Sequence, residues 1–273
     1  MFRSLFLISF ALSSVACSQN GEETPATPEA STARITPPSA PGPLDPNAAK
    51  AVNFVDNSSQ DGGERTFGYS WPAAVSRIPA LASRLAKARD EDLAGQKAQW
   101  QEQLSEFAGK DCVTCKTLSS EVTWKVATDL PDYLSLTADI YLYTGGAHGM
   151  SGLDALVWDK KAGREVELFA STIALETALG TKLCDALDRE RARRRGAPVV
   201  RDDEWSTDCP SLNEATVIAG SSNGKTFDRI GVYFGPYVAG AYAEGPYELT
   251  FPVTASIIDA VKPEYASAFS IKR

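Results

Sequence analysis

The chain has 273 residues, of which 43% are hydrophobic, and its formal net charge is −8 at pH 7. This acidic balance argues against nucleic acid and anionic lipid headgroups as binding partners, and it is compatible with a basic protein partner. The one basic run, RERARRR at residues 189–195, carries cations that suit the C-terminal end of a helix dipole. We interpret this run as a solvated helix end.

Residues 1–16 have the pattern of a signal peptide. A positive residue, Arg3, precedes an apolar run over residues 5–12 that is too short to span a bilayer as a permanent anchor. Cleavage after residue 16 would remove only the charge of Arg3, so the mature chain would carry a net charge of −9.

The end of this segment, SVAC at residues 14–17, resembles a bacterial lipobox, in which the signal is cut before the cysteine and the thiol carries a lipid. The alternative is an ordinary secretory signal cut after Ala16. Several acyl chains on Cys17 would anchor the chain firmly, because each buried methylene contributes about 0.8 kcal/mol. Ser18 favours the outer membrane by the lipoprotein sorting pattern. We therefore expect a protein of the cell envelope, lipid-anchored in the outer membrane and facing the periplasm.

The segment over residues 17–50 is rich in proline and has almost no large apolar residues. Such a composition cannot bury enough surface to offset its ordering entropy. We expect a disordered tether that holds the folded part up to about 100 Å from the membrane, at about 3.1 Å per extended residue.

Four cysteines follow the tether, and an even number in an exported chain suggests disulfides. Of the three possible connectivities we favour Cys112–Cys115 and Cys184–Cys209. The CVTC sequence at residues 112–115 could instead be a redox pair, but a redox pair usually opens a helix, whereas this one follows the end of a predicted helix. A zinc site is disfavoured because the compartment oxidises thiols.

Two helices are predicted from apolar residues at three- and four-residue spacings. The first extends from Val75 to Phe107, with a late start at Pro79 or a break at Gly95. The second begins at a Ser171 or Thr172 cap and ends at Gly196, and its cap, apolar stripe and basic last turn agree.

Several strands are predicted from alternation, most clearly YLSLTADIYLY at residues 133–143, which has one apolar and one polar face. A hairpin surrounds the turn DKKAGR at residues 159–164, and Asn223–Gly224 predicts a tight hairpin before a strand at residues 228–234. The last strand covers residues 247–253. Helices and strands do not alternate regularly, so we predict an α+β fold of mixed or antiparallel sheets packed with two main helices. Residues 51–150 would supply the long helix and first strands, and residues 151–273 the hairpin, second helix and C-terminal strands.

With these elements placed, the chain resembles the extracytoplasmic module of the RsiV/PdaC-like family. The family pattern is Y-x-Y followed by GGAHG, a hairpin with D-x-x-x-G, then Leu-Phe and a helix, and later an aromatic strand, Pro-Tyr and Tyr-Ala-x-Gly. The resemblance covers roughly residues 65–255. The matching residues are Tyr141, Tyr143, Gly145, Gly146, Ala147, His148 and Gly149, then Asp159, Gly163, Leu168 and Phe169, and finally Tyr233, Phe234, Pro236, Tyr237, Tyr242, Ala243 and Gly245.

Members of this family include a lysozyme-sensing anti-sigma factor and a peptidoglycan deacetylase that carries the module beside its catalytic domain. The deacetylase chemistry needs a separate domain with His and Asp metal ligands, and this chain has a single histidine. The anti-sigma function needs a cytoplasmic segment and a transmembrane helix, neither of which we predict. The resemblance therefore implies a module that recognises cell-wall glycan or a lysozyme-like protein, without a cofactor or a metal ion.

His148, the single histidine, has a structural and a functional interpretation. In the first, Gly145, Gly146 and Gly149 supply positive φ angles and the imidazole bonds local backbone. In the second, His148 contacts a ligand. The candidate ligand-binding residues are Tyr141, Tyr143, Gly145, Gly146, His148 and Tyr237. An aromatic set of Tyr233, Tyr237, Tyr242 and Tyr247 could stack on sugar rings, although packing at a sheet edge also explains it.

No motif for nucleophilic, metal-dependent or phosphate chemistry is present, so we name no catalytic residue. The sequence predicts a lipid-anchored, non-enzymatic envelope binding protein. The alternatives are a hydrolase that acts on cell-wall material, whose carboxylate pair would meet only in space, and a structural envelope lipoprotein.

Overall fold

The computed structural model describes residues 49–200 and 207–271. The predicted signal peptide, the lipidation site at Cys17 and nearly all of the predicted tether lie outside the described residues. Within the described ranges, no helix combines the length and the apolar character needed to cross a membrane. Helices and strands of both sheets occur in the mixed order expected, so the α+β class is confirmed.

The larger sheet has seven strands in the order β1-β3-β4-β5-β6-β7, with β2 paired to the same edge of β3 as β1. Only β3 and β4 pair in parallel. The 133–143 strand is found with the predicted bounds. Leu134, Leu136 and Ala138 of its apolar face are buried, whereas Leu142 at its end is exposed. Ser135 of the polar face is also buried. The strands are β1 Val52–Val55, β2 Ser58–Gln60, β3 Gly63–Trp71, β4 Thr117–Asp129, β5 Tyr133–Tyr143, β6 Met150–Asp159 and β7 Arg164–Glu165.

Helices α1 (Ala73–Ser76) and α2 (Pro79–Glu106) cover the apolar face of this sheet. Proline suits the first turn of a helix, where its missing N–H is not needed, and α2 begins there. Gly95 does not break α2: it lies on the exposed side, where nothing approaches it. Buried side chains of α2 and of the sheet form one hydrophobic core, which includes Phe67, Leu81, Leu85, Trp124, Leu134, Leu136 and Trp158.

The smaller sheet pairs β8 (Ala215–Gly220), β9 (Arg229–Phe234) and β10 (Tyr247–Pro252) in the antiparallel order β10-β9-β8. Three helices pack on it and enclose a second core with side chains such as Leu183, Leu187, Ile230, Phe234 and Val253. They are α3 (Thr172–Leu179), α4 (Thr181–Arg195) and α5 (Ala255–Asp259). The single second helix that the sequence predicted is therefore two helices, because Gly180 has a φ of +55° and turns the chain between them.

The connection between β8 and β9 is longer than the tight hairpin that Asn223–Gly224 predicted. Asp228 is buried, and its carboxylate accepts hydrogen bonds from the backbone N–H and the hydroxyl of Ser222, at 2.6 Å each. A buried carboxylate needs such donors, so the chain forms a wider loop around Asp228.

Both favoured disulfides are present. Cys112–Cys115 closes the loop after α2, and Cys184–Cys209 ties α4 to the segment before β8. The two sheets meet where β8 lies across the polar face of the larger sheet, and the Thr216 hydroxyl donates a hydrogen bond of 2.6 Å to the Leu153 carbonyl of β6. This junction places the β5–β6 loop beside the β9–β10 loop.

Candidate functional site

The β5–β6 loop has a backbone that only glycine tolerates at two positions. Gly145 and Gly146 have φ angles of +100° and +91°. The Tyr143 hydroxyl donates a hydrogen bond of 2.8 Å to the Gly146 carbonyl and fixes the turn from one side. Gly149 does not have a positive φ, contrary to the prediction. It is required for space instead, because a Cβ there would overlap the ring of Tyr141.

His148 stands exposed at the end of this loop and stacks on a tyrosine from the other sheet. Its ring lies 4.1 Å from the Tyr242 ring at an interplanar angle of 25°. Its Nδ1 lies 3.0 Å from the carbonyl oxygen of Gly149. A carbonyl can only accept, so Nδ1 carries the hydrogen in this bond. The local backbone bond that the structural interpretation predicted is therefore present.

A third ring, that of Tyr237, completes the cluster. It lies 5.4 Å from Tyr242 and 6.5 Å from His148, and its hydroxyl is 3.5 Å from His148 Nε2, at the long limit of a hydrogen bond. We call His148, Tyr237 and Tyr242 the aromatic platform. It joins the β5–β6 loop to the β9–β10 loop.

Tyr237 is the most unusual member of the aromatic platform. Its φ is +70°, a conformation that costs free energy for any residue with a Cβ, and its side chain is 50% exposed. A strained backbone that holds a large apolar ring in solvent is not explained by packing. Such strain is concentrated at binding and catalytic sites, which makes Tyr237 the strongest single indicator of function in the described residues.

The β9–β10 loop is held by arginines of the basic run, and this corrects our interpretation of that run as solvated. Arg191 is fully buried, and its Nε and Nη2 donate hydrogen bonds of 2.9 and 2.7 Å to the Ala239 carbonyl. Its Nη1 donates to the Thr207 carbonyl at 3.1 Å. Burial lowers the pKa of Arg191, while Asp188 opposes that effect. The guanidinium of Arg191 is thus a buried structural group that joins α4 to the β9–β10 loop, and not a surface cation.

Two neighbouring arginines hold the far end of the same loop. Arg194 donates hydrogen bonds of 2.7 and 2.8 Å to the carbonyls of Glu244 and Pro246, and its guanidinium lies over the Tyr247 ring. Arg195 bonds the Glu244 carboxylate at 3.0 Å. Burial opposes ionisation of Glu244, but hydrogen bonds from Tyr247 and Arg195 outweigh it and lower its pKa. We call Arg194 and Arg195 the arginine clamp. Tyr242 lies two residues before Glu244, so the clamp holds the segment that carries Tyr242.

A groove of about 500 Å³ lies next to the aromatic platform, where the polar face of the larger sheet meets the edge of the smaller one. Its lining includes Glu121, Lys125, Asp139, Tyr141, Tyr233 and Glu248, and we call it the acidic groove. Thr123 and Asp139, like Glu121 and Tyr141, are cross-strand partners of β4 and β5. Burial raises the pKa of Tyr233, and the carboxylates of Glu248 and Asp139 raise it further.

Residues 63–151 match the family model described as "Deacetylase PdaC". This part of the chain is similar to that family. The match extends from β3 into the start of β6, so it includes His148 and most of the strands that line the acidic groove. Tyr237, Tyr242 and Glu248 lie beyond it. The resemblance over residues 152–255 therefore stays a prediction.

Solved structures similar to the chain include two DUF3298 family members. One, from Bacteroides fragilis NCTC 9343, is 14% identical, with a TM-score of 0.47, and the alignment covers 80% of this chain and 95% of that one. The other, from Pseudomonas aeruginosa PAO1, is 17% identical, with a TM-score of 0.46, and the alignment covers 82% of this chain and 98% of that one. No curated protein matches the chain.

The structure brings some of the predicted ligand-binding residues together and gives others a structural role. His148 and Tyr237 meet in the aromatic platform, 89 residues apart in sequence. Gly145, Gly146 and Tyr143 shape the loop, and Tyr141 packs on Gly149 and lines the acidic groove. In the wider aromatic set, Tyr247 is fully buried and its position is explained by packing. Tyr233 is also buried and lines the acidic groove. Tyr242 belongs to the aromatic platform.

Glu121, Asp139 and Glu248 are not among the predicted site residues. The alternation of the 133–143 strand places Asp139 on its polar face, and this was the available signal for that residue. Nothing in the sequence places Glu248 beside that face, since the two sheets come together only in the folded domain. Within the described residues, no group of three histidine, cysteine or acidic side chains converges as a metal site.

Proposed function

We propose that the chain is a lipid-anchored protein of the cell envelope whose PdaC-like module binds cell-wall glycan on the aromatic platform, without catalysing a reaction. The observation that carries this proposal is the cluster of the exposed rings of His148 and Tyr237 with the half-buried ring of Tyr242, in which Tyr237 has a strained backbone conformation. Sugar rings present C–H faces to aromatic rings, and such stacking needs flat rings that are already in place.

The rings of the platform are held in place before any ligand binds. The Tyr242 hydroxyl donates a hydrogen bond of 2.8 Å to the Gly149 carbonyl, the same oxygen that His148 Nδ1 approaches. The arginine clamp fixes the loop that carries Tyr242. Rings that are ordered before binding lose little entropy when a ligand stacks on them, so the platform supports affinity for a sugar at low ordering cost.

A lysozyme-like protein is the second candidate partner. The mature net charge of −9 and the carboxylates of the acidic groove favour the approach of a basic protein. Complementary charge of this kind raises the association rate more than it defines the partner. We therefore rank glycan first, because the aromatic platform has geometry suited to a sugar ring.

The test compares single variants of the full chain for binding to purified peptidoglycan sacculi and to lysozyme. Tyr237→Ala and His148→Ala should each weaken glycan binding by about tenfold, the loss expected when one ring contact is removed. Ile173→Ala is the matched control, because Ile173 is 68% exposed on α3. If both platform variants bound glycan as the wild type does, the platform would be rejected as the glycan-binding site. Soluble fragments released from sacculi would reject the non-enzymatic proposal and support the hydrolase alternative.

The anchor is tested separately with Cys17→Ser. This variant should stay unlipidated and should be lost from the outer-membrane fraction, because the acyl chains supply the membrane affinity. Recovery of the variant in that fraction at the wild-type level would reject lipid anchoring at Cys17 and leave the binding proposal intact.

A further inference from the structure

We propose that the Cys112–Cys115 disulfide is a site of thiol–disulfide exchange, and that its opening by a dithiol changes the shape of the β5–β6 loop that carries His148. The exchange itself is independent of the proposed glycan function, whereas its effect on binding rests on that function. The cysteine pair is the substrate of the exchange and not its catalyst, so it does not need the helix N-terminus that a catalytic redox pair uses.

The disulfide lies in an exposed connection between α2 and β4, and we call residues 112–115 the disulfide loop. Cys112 and Cys115 are both partly exposed, and Val113 between them is 58% exposed. Cys209 of the other disulfide packs against the second core. Exchange requires access to a sulfur atom, so a dithiol should open Cys112–Cys115 first. The closed loop spans only 3 positions and restricts the unfolded chain little, so the domain should stay folded when it opens.

The disulfide loop packs against the glycine turn of the β5–β6 loop. A Cβ at Gly145 would lie 3.0 Å from the Thr114 carbonyl oxygen and 3.9 Å from the Cys115 Cα, so backbone lies against backbone there. Gly145 has a φ of +100° and lies three residues before His148. Glycine can adopt many other conformations, so a shift of the disulfide loop should change the turn and with it the position of the imidazole.

The chain on both sides of this contact is fixed by hydrogen bonds. The Trp100 indole N–H donates one of 2.9 Å to the Lys116 carbonyl, and Lys116 Nζ donates one of 2.9 Å to the Asp61 carbonyl. The Gln103 side-chain amide donates one of 3.2 Å to the Thr144 carbonyl. Opening of the disulfide should therefore move the disulfide loop and the glycine turn, while α2 and β4 keep their places.

The exchange proceeds in two balanced steps. One thiolate of the dithiol attacks a sulfur of the pair, so a mixed disulfide forms, the Cys112–Cys115 bond breaks and the released cysteine takes up a proton. The second thiol of the dithiol then loses its proton and attacks the mixed disulfide, which frees the other cysteine as a thiol. The two cysteines gain two electrons and two protons, and the dithiol is oxidised to its own disulfide.

The first part of the experiment identifies the disulfide that opens. The folded full chain is treated with increasing concentrations of dithiothreitol, and free thiols are alkylated and located by mass spectrometry. Cys112 and Cys115 should become alkylated together at a dithiothreitol concentration roughly tenfold lower than Cys184 and Cys209 require. Opening of Cys184–Cys209 at the same or a lower concentration would overturn the assignment of the exchange site.

The second part measures the effect on the platform through His148. The chain has a single histidine, so its imidazole gives one set of nuclear magnetic resonance signals. These signals should shift when dithiothreitol opens Cys112–Cys115 in the wild type. The double variant C112S/C115S is the control: its signals should resemble those of the reduced wild type and should not respond to dithiothreitol. Unchanged His148 signals in wild type with both cysteines reduced would overturn the coupling, whether or not the variant folds.

Binding to purified sacculi separates this inference from the proposed function. Reduced wild type and C112S/C115S should bind about fivefold more weakly than oxidised wild type, because a loop that is no longer held must be ordered when the ligand binds. Equal binding by the oxidised and reduced wild type would overturn the effect on binding. If no form bound sacculi while the His148 signals still responded to reduction, the glycan function would be rejected and the exchange site would stand.

Discussion

The two loops that form the aromatic platform are held in place by different means. The β5–β6 loop keeps its shape through its own backbone, with Gly145 and Gly146 at positive φ and a bond from Tyr143 three residues away. The β9–β10 loop depends on side chains distant in sequence, above all Arg191, which reaches Ala239 across 48 positions. The β5–β6 loop is therefore held by interactions between residues close in sequence, and we call it the local half of the platform. The β9–β10 loop is held by interactions between residues distant in sequence, and we call it the tertiary half.

This difference determines how each half should fail. Damage to the local half should change one loop and leave the domain folded. Damage to the tertiary half should lower the stability of the smaller sheet and its helices, because the same arginine is part of the core around that loop.

The largest effect is expected from Arg191→Ala. The substitution removes a buried guanidinium and leaves the carbonyls of Ala239 and Thr207 without donors, so the free energy of unfolding should fall by about 3–5 kcal/mol. Arg193→Ala is the control, since that side chain is 71% exposed and pairs with Glu190 of the same helix, and its effect should stay below about 1 kcal/mol. Urea unfolding measures the loss of stability in both variants. Equal unfolding midpoints for Arg191→Ala and Arg193→Ala would contradict the role of Arg191 in holding the β9–β10 loop.

The two disulfides extend the comparison from loops to cross-links. Cys184–Cys209 spans 25 positions and Cys112–Cys115 only 3. In the chain-entropy description the longer loop contributes about 3.5 kcal/mol and the shorter about 1.5 kcal/mol. Cys184→Ser should therefore destabilise more than Cys112→Ser and expose the thiol of Cys209 to labelling reagents. Labelling of Cys112 or Cys209 in the native, unreduced wild type would show that these disulfides are incomplete.

The same contrast explains what could be predicted from the sequence. The 133–143 strand, the Ser171 cap and the GGAHG turn depend on neighbours in the chain, and the structure contains all three. The cysteine pairing followed from compartment and spacing. The burial of Arg191 and the approach of Glu248 to Asp139 depend on contacts between elements far apart in sequence, for which local spacing carries no signal.

Gly146 and His148 test the local half directly. Gly146→Val forces a β-branched residue into a φ of +91° and should cost about 1–3 kcal/mol, although nothing crowds that position. His148→Ala removes one hydrogen bond and should cost about 1 kcal/mol. The melting temperatures of both variants show which substitution destabilises the protein more, and we expect this to be Gly146→Val. A Gly146→Val protein that melts like the wild type would show that the turn does not need glycine there.

The smallest effect concerns the pH dependence of the tertiary half. Hydrogen bonds from Arg193 and Arg194 lower the pKa of Glu190 from 4.5 to about 2. A carboxyl whose pKa is lower in the folded state stabilises the fold above its unfolded pKa, and this contribution is lost as the pH falls toward the folded value. The melting temperature should therefore decline from about pH 4.5 to about pH 2, and part of that decline should be missing in Glu190→Gln. Because Glu190 lies near the surface, salt should reduce the difference between the two proteins. Parallel melting curves for wild type and Glu190→Gln across this range would show that the arginines do not hold Glu190 ionised.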